Sequence, residues 1–66
     1  MKVFVLSRIL ECKNANWKMT IFLGVFKKFP AAVRAMKKDN TSERRAAAEW
    51  LDTKLMYDLR EAELRG

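Results

Sequence analysis

Histidine is absent from this 66-residue chain, cysteine and proline occur once each, and glycine occurs twice. Without histidine the chain lacks the side chain best suited to proton transfer near neutral pH, and no Ser-His or Cys-His nucleophilic pair can be assembled. The lone Cys12 excludes an internal disulfide and a cysteine-rich metal knuckle. Compact secreted domains of this size commonly rely on several disulfides, so a reducing cytoplasm is the expected compartment. The opening apolar run Val3-Phe4-Val5-Leu6 is interrupted by Arg8 and Glu11, too early for a secretion signal. No run approaches the roughly 20 apolar residues that cross a bilayer, and the C-terminal segment mixes acidic with basic residues instead of presenting a strongly cationic face, so no membrane partner is expected. Gly24 is not part of a phosphate-binding loop, because the glycine-rich spacing and the following Lys-Ser/Thr pair are missing. It is expected to mark a bend or a close backbone approach in a strand. The acidic residues Glu49, Asp52, Asp58, Glu61 and Glu63 read as a solvated face rather than a metal site. Neither enzymatic activity nor a cofactor or metal is expected.

Apolar residues make up 50% of the chain, including two Trp and four Phe, which places it among sequences that fold. The length allows one domain, residues 1–66, and such a small core leaves little stability to spare. The net charge of +6 is unevenly spread. Residues 1–38 hold nine Lys or Arg against Glu11 alone, whereas residues 39–66 hold five basic and seven acidic side chains. An acidic partner would therefore meet the first half.

Val3, Val5 and Ile9 alternate with Lys2, Phe4, Leu6 and Arg8, predicting a strand over about 2–10 with one apolar and one mixed face. Trp17, Met19, Ile21, Leu23 and Val25 form a second period-two set, opposed by Phe22 and Phe26, over about 17–26. The turn-forming stretch from Glu11 to Asn16 joins the two as an antiparallel hairpin. Pro30 suits a first helical turn, and Phe29, Ala32, Val33 and Met36 then share one face of a short amphipathic helix over about 30–38. Asp39-Asn40-Thr41-Ser42 offers several N-caps, with Asn40 and Glu43 the nearest match to reciprocal capping and Thr41 or Ser42 as alternatives. Capping also accounts for Asn40-Thr41-Ser42 better than glycosylation does. Ala48, Leu51, Leu55, Leu59 and Ala62, flanked by Trp50, Tyr57 and Leu64 at sevenfold spacing, predict one long helix over about 42–64. The expected fold is α+β: an N-terminal antiparallel β-hairpin, a short amphipathic helix and a long C-terminal helix, in the order ββαα.

Two surfaces compete for the function. On the long helix, Trp50, Lys54, Met56, Tyr57 and Arg60 are candidate anchors of a protein interface. One hairpin and a short helix leave that helix incompletely covered, so a homo-oligomer, a dimer in the simplest case, is expected. In the first half, Lys27, Lys28, Arg34, Lys37 and Lys38 are candidate phosphate contacts for DNA or RNA, with Phe22 and Phe26 as stacking platforms on one sheet face. No RNP pattern, zinc finger or helix-turn-helix accompanies them. The favoured reading is a non-catalytic protein-recognition module; the alternative is a small basic nucleic-acid-binding protein.

KVFVLSR at 2–8, FLGVF at 22–26 and PAAVRAM at 30–36 resemble the strand, strand and Ala-rich helix of a compact family of uncharacterised bacterial and phage domains. After Lys38 the sequence departs from that pattern, and the resemblance implies neither an activity nor a functional residue. In size and charge the chain is also similar in kind to small phage accessory or host-inhibitory proteins. That likeness implies an inhibitor or regulator of a host protein, working in the host cytoplasm.

Overall fold

The computed structural model describes residues 1–64. Three strands and two helices follow in the order β1 (Lys2–Cys12), β2 (Lys18–Phe26), α1 (Phe29–Asp39), α2 (Ser42–Trp50) and β3 (Thr53–Glu63). The strands form one antiparallel sheet in the order β2-β1-β3. The chain leaves β2 at one edge, crosses a face of the sheet through both helices and enters β3 at the other edge. Among the described residues no helix is long and apolar enough to cross a membrane.

The expected ββαα order is thus corrected to ββααβ: the segment predicted as one helix over 42–64 is a nine-residue helix, a turn and an 11-residue strand. The cause lies in the spacing of Leu51, Leu55 and Leu59. A step of four is close to a helical turn, yet it is also two full periods of a strand, so the leucine stripe fits either element. Residues 53–60 decide for the strand, because Thr53, Leu55, Tyr57 and Leu59 alternate with Lys54, Met56, Asp58 and Arg60. Asp52 makes the break. Its φ of 56° lies in the left-handed region, which ends a helix and which Asp tolerates better than most residues. The Lys13 amide donates to the Asp52 carbonyl at 3.1 Å, and Asn14 bonds the Asp52 carboxylate, tying this turn to the β1–β2 loop.

Pro30 sits in the first turn of α1. Of the possible caps for α2, Thr41 is used: its Oγ1 accepts the Arg44 amide at 3.1 Å. The registers place Phe4, Leu6, Arg8 and Leu10 of β1 on the face that the helices cover. Leu6 is fully buried there, with Ala32 of α1 and Ala48 of α2. Phe4 and Phe29 meet edge to face, centroids 5.5 Å apart. The face read as mixed is therefore the one the helices occupy, and the apolar set Val3, Val5 and Ile9 lies on the other.

β2 changes faces midway. Leu6 pairs with Gly24 but Ser7 pairs with Phe22, so Leu23 is an extra residue in a bulge. Met19 and Ile21 consequently share the helix side, Val25 is on the helix-free side, and Phe22 and Phe26 are on opposite faces instead of forming one stacking platform. A Cβ on Gly24 would meet the Phe26 ring at 3.3 Å, so the missing side chain gives that ring room beside the bulge.

Candidate protein interface

Asp39, at the end of α1, gathers the polar side chains that lie between helices and sheet. Arg8 Nη1 donates to both of its carboxylate oxygens at 3.0 Å, and the Tyr57 hydroxyl donates to Oδ2 at 2.7 Å. Arg44 stands 3.6 Å from Oδ1 and donates through Nε to the Asp39 carbonyl at 3.0 Å. Burial, reinforced by the hydrogen bond and the charge of Asp39, pushes the Tyr57 hydroxyl from 10.0 up to about 12. The Arg8 and Asp39 side chains are only 13% and 19% exposed. This cluster fastens β1, α1, α2 and β3 together, and its groups are already partnered by one another.

Beside it runs a groove of about 200 Å³ between β2 and α2, floored by Leu10 and Ile21 and walled by Ala47 and Leu51, with Arg8 and Arg44 at its polar end. Its existence follows from where the helices sit: α2 packs on β3, through Ala48 and the Thr53 hydroxyl bonded to the Ala48 carbonyl at 2.8 Å, which leaves the turn end of β2 uncovered. Trp50 and Leu51, at the end of α2, are 85% and 60% exposed. Met19, opposite Leu10 on the same face, is also exposed.

The five side chains expected on one helix are distributed over three places. Trp50 ends α2 one residue before the groove-lining Leu51 but does not itself line the groove. Lys54, Met56 and Arg60 lie on the helix-free face of β3, where Arg60 pairs with Asp58 at 2.7 Å. Tyr57 points between the layers to Asp39, half-buried. The basic candidates do form a group: Lys27 and Lys28 precede α1, Arg34, Lys37 and Lys38 lie along it, and all five are exposed. Lys38 also borders a second cleft of about 320 Å³ with Leu23, Phe26 and Arg44. Phe22 is across the sheet from these bases, so stacking and phosphate contact do not converge on one surface.

Sequence reasoning missed Asp39, Arg8 and Arg44 as a cluster. An arginine in the middle of an apolar strand was the available signal, since a cation on a covered face needs an acidic partner. Among the described residues no three Cys, Asp or Glu side chains come together as metal ligands would. Neither a family model, nor a curated protein, nor a solved structure matches this chain.

Proposed function

We propose that this chain is a non-catalytic protein-recognition module that takes an apolar segment of a partner protein, flanked by acidic side chains, into the groove between β2 and α2. The observation that carries this reading is Trp50, 85% exposed and adjacent in sequence to a groove-lining leucine. An indole in water offers a large apolar area with little conformational entropy to lose, which is why tryptophan so often anchors interfaces. The net charge of +6, carried by residues 1–38, supplies the field that favours an acidic partner, with Arg8 and Arg44 at the polar end of the groove held by Asp39. The lack of histidine and the mutual pairing of the Asp39 cluster support binding over chemistry. An inhibitor or regulator acting on a host protein in the cytoplasm, by shape and charge, is the concrete form of this reading.

The test is photo-cross-linking in cells from benzoylphenylalanine placed at Trp50, with the same group at Arg34 as a control. A discrete adduct from position 50 that disappears on Leu51→Asp, with none from position 34, is the expected result. Adducts from both positions alike, or from neither, would refute it.

The exposed row Lys27, Lys28, Arg34, Lys37 and Lys38 favours a second reading, nucleic-acid binding through α1. Fluorescence anisotropy with mixed-sequence DNA and RNA at several salt concentrations separates the two. Binding that falls steeply with salt and vanishes on charge reversal at Lys27, Lys28, Lys37 and Lys38 would put nucleic acid first.

A further inference from the structure

An antiparallel sheet covered by helices on one side ordinarily turns polar residues to water on the other. β1 follows this pattern only in part: Val5 and Ile9, half-buried and separated by Ser7, lie opposite the helix side that holds Phe4, Leu6 and Leu10, while Val3 at the end of the same row is already buried at 3% exposure. The neighbouring strands extend the apolar patch with Phe22 and Val25 on one side and Met56 on the other. Phe22 is 64% exposed. A strand with apolar residues on both faces belongs in a middle layer, and here no helix covers the second face beyond its buried Val3 end.

We infer that this helix-free face is covered by a second copy of the chain, packed sheet against sheet as a two-fold dimer.

Three observations select that occupant. The first is area. The chain exposes 5198 Å². A folded monomer of 7.7 kDa exposes about 4,300 Å² on average, so this flat molecule of 41 × 25 × 11 Å has an excess of about 900 Å² over its whole surface, enough for the roughly 800 Å² per partner of one standard interface, and the sheet face is its broadest side without a helix. The second is charge. Charged side chains on this face stand around its margin, Lys18, Glu11 and Lys54 across one end and Asp58 and Arg60 along β3. With three bases and two acids the margin is nearly balanced, so it can pair with its own copy. An acidic partner is drawn instead to the bases of α1 on the other side. The third is shape: a sheet with no element across it is matched by another of the same twist, and two identical sheets have identical twist and pack at about 10 Å. This interface is separate from the groove between β2 and α2, so the dimer and the recognition reading stand or fall independently.

Sedimentation equilibrium of the full chain, combined with isotope-filtered NOE spectroscopy on a mixture of labelled and unlabelled protein, tests the inference. The expected result is a species of twice the chain mass, with intermolecular NOEs from the methyl groups of Val5, Ile9 and Met56. Phe22→Asp should raise the dimer dissociation constant at least about 30-fold, as loss of a central interface anchor does, while Trp50→Ala leaves it unchanged. A monomer throughout the concentration range would overturn the inference. A dimer whose intermolecular NOEs arise from Trp50 and Leu51, or from the β3 edge instead of these methyls, would overturn it equally. The NOE arm uses the native chain, so it decides the matter even if Phe22→Asp fails to fold.

Discussion

Asp39 holds two arginines and a tyrosine, and removing its carboxylate deprives all three at once. In Asp39→Ala the Arg8 guanidinium would remain largely covered without its counter-charge, and the Tyr57 hydroxyl would lose its acceptor. Removing one partner of a buried pair is strongly destabilising, and partial exposure moderates the cost here to about 2–3 kcal/mol. Urea denaturation should show the midpoint falling with an unchanged slope. The same site makes stability depend on alkaline pH. Tyr57 ionises near 10.0 when unfolded and near about 12 when folded. Between those values the unfolded state binds fewer protons, so the stabilisation is complete below pH 10 and is lost as pH rises toward 12. Tyr57 is the sole tyrosine, so phenolate absorbance reports it alone. Its ionisation should be delayed in the native protein relative to the chain in urea, and Tyr57→Phe should flatten the loss of stability between pH 10 and 12.

The junction of α2 and β3 is the element-scale feature on which the topology turns. Thr53 is 6% exposed, and its hydroxyl satisfies the Ala48 carbonyl at the end of the helix. Thr53→Val keeps the shape and removes the donor, and should cost about 1–2 kcal/mol in thermal or urea unfolding. At the preceding residue, Asp52→Val forces a β-branched side chain into the left-handed region and should cost a further ~1–2 kcal/mol, whereas Asp52→Gly should be tolerated better. Of the elements, β1, β2 and α1 were legible because alternation, a turn-rich stretch and Pro30 each favour one reading. β3 was not, since the fourfold leucine spacing suits helix and strand alike, and only the alternation from Thr53 onward separates them. The two faces of β2 were misread because a one-residue bulge at Leu23 leaves no mark in the residue pattern while reversing every side chain beyond it. The candidate surfaces inherited both errors. Met56 and Tyr57 are neighbours in sequence but face opposite sides of the sheet, and Arg8 meets Asp39 across 31 residues, which no local periodicity encodes.

On the scale of the whole molecule, β1 is the middle strand and holds the two outer ones, β2 by a local turn and β3 by a pairing that spans nearly the whole chain. That second pairing brings the first residue against the last described ones: the Leu64 amide donates to the Met1 carbonyl at 2.8 Å, and the Met1 ammonium reaches the Leu64 carbonyl and Glu63, each at 3.3 Å. The fold is therefore close to circular, and its stability should depend on which pairings exist rather than on where the chain is cut. The β1–β2 loop is the natural place to move the cut, because Ala15 and Asn16 are exposed, while Asn14, which bonds Asp52, stays on the β1 side. A circular permutant that joins residue 66 to Met1 through a short Gly-Ser linker and opens between Ala15 and Asn16 retains each strand pairing and the Asp39 cluster. It should unfold cooperatively, with a circular dichroism spectrum like that of the parent and a stability within about 1–2 kcal/mol of it, the difference reflecting the change in loop closure. A chain ending at Leu51 lacks β3, Tyr57 and Thr53 together and should show no cooperative transition. If the truncated chain folded as well as the permutant, β3 would be an accessory to the sheet, and the dependence of the helix layer on the β1–β3 pairing would be wrong.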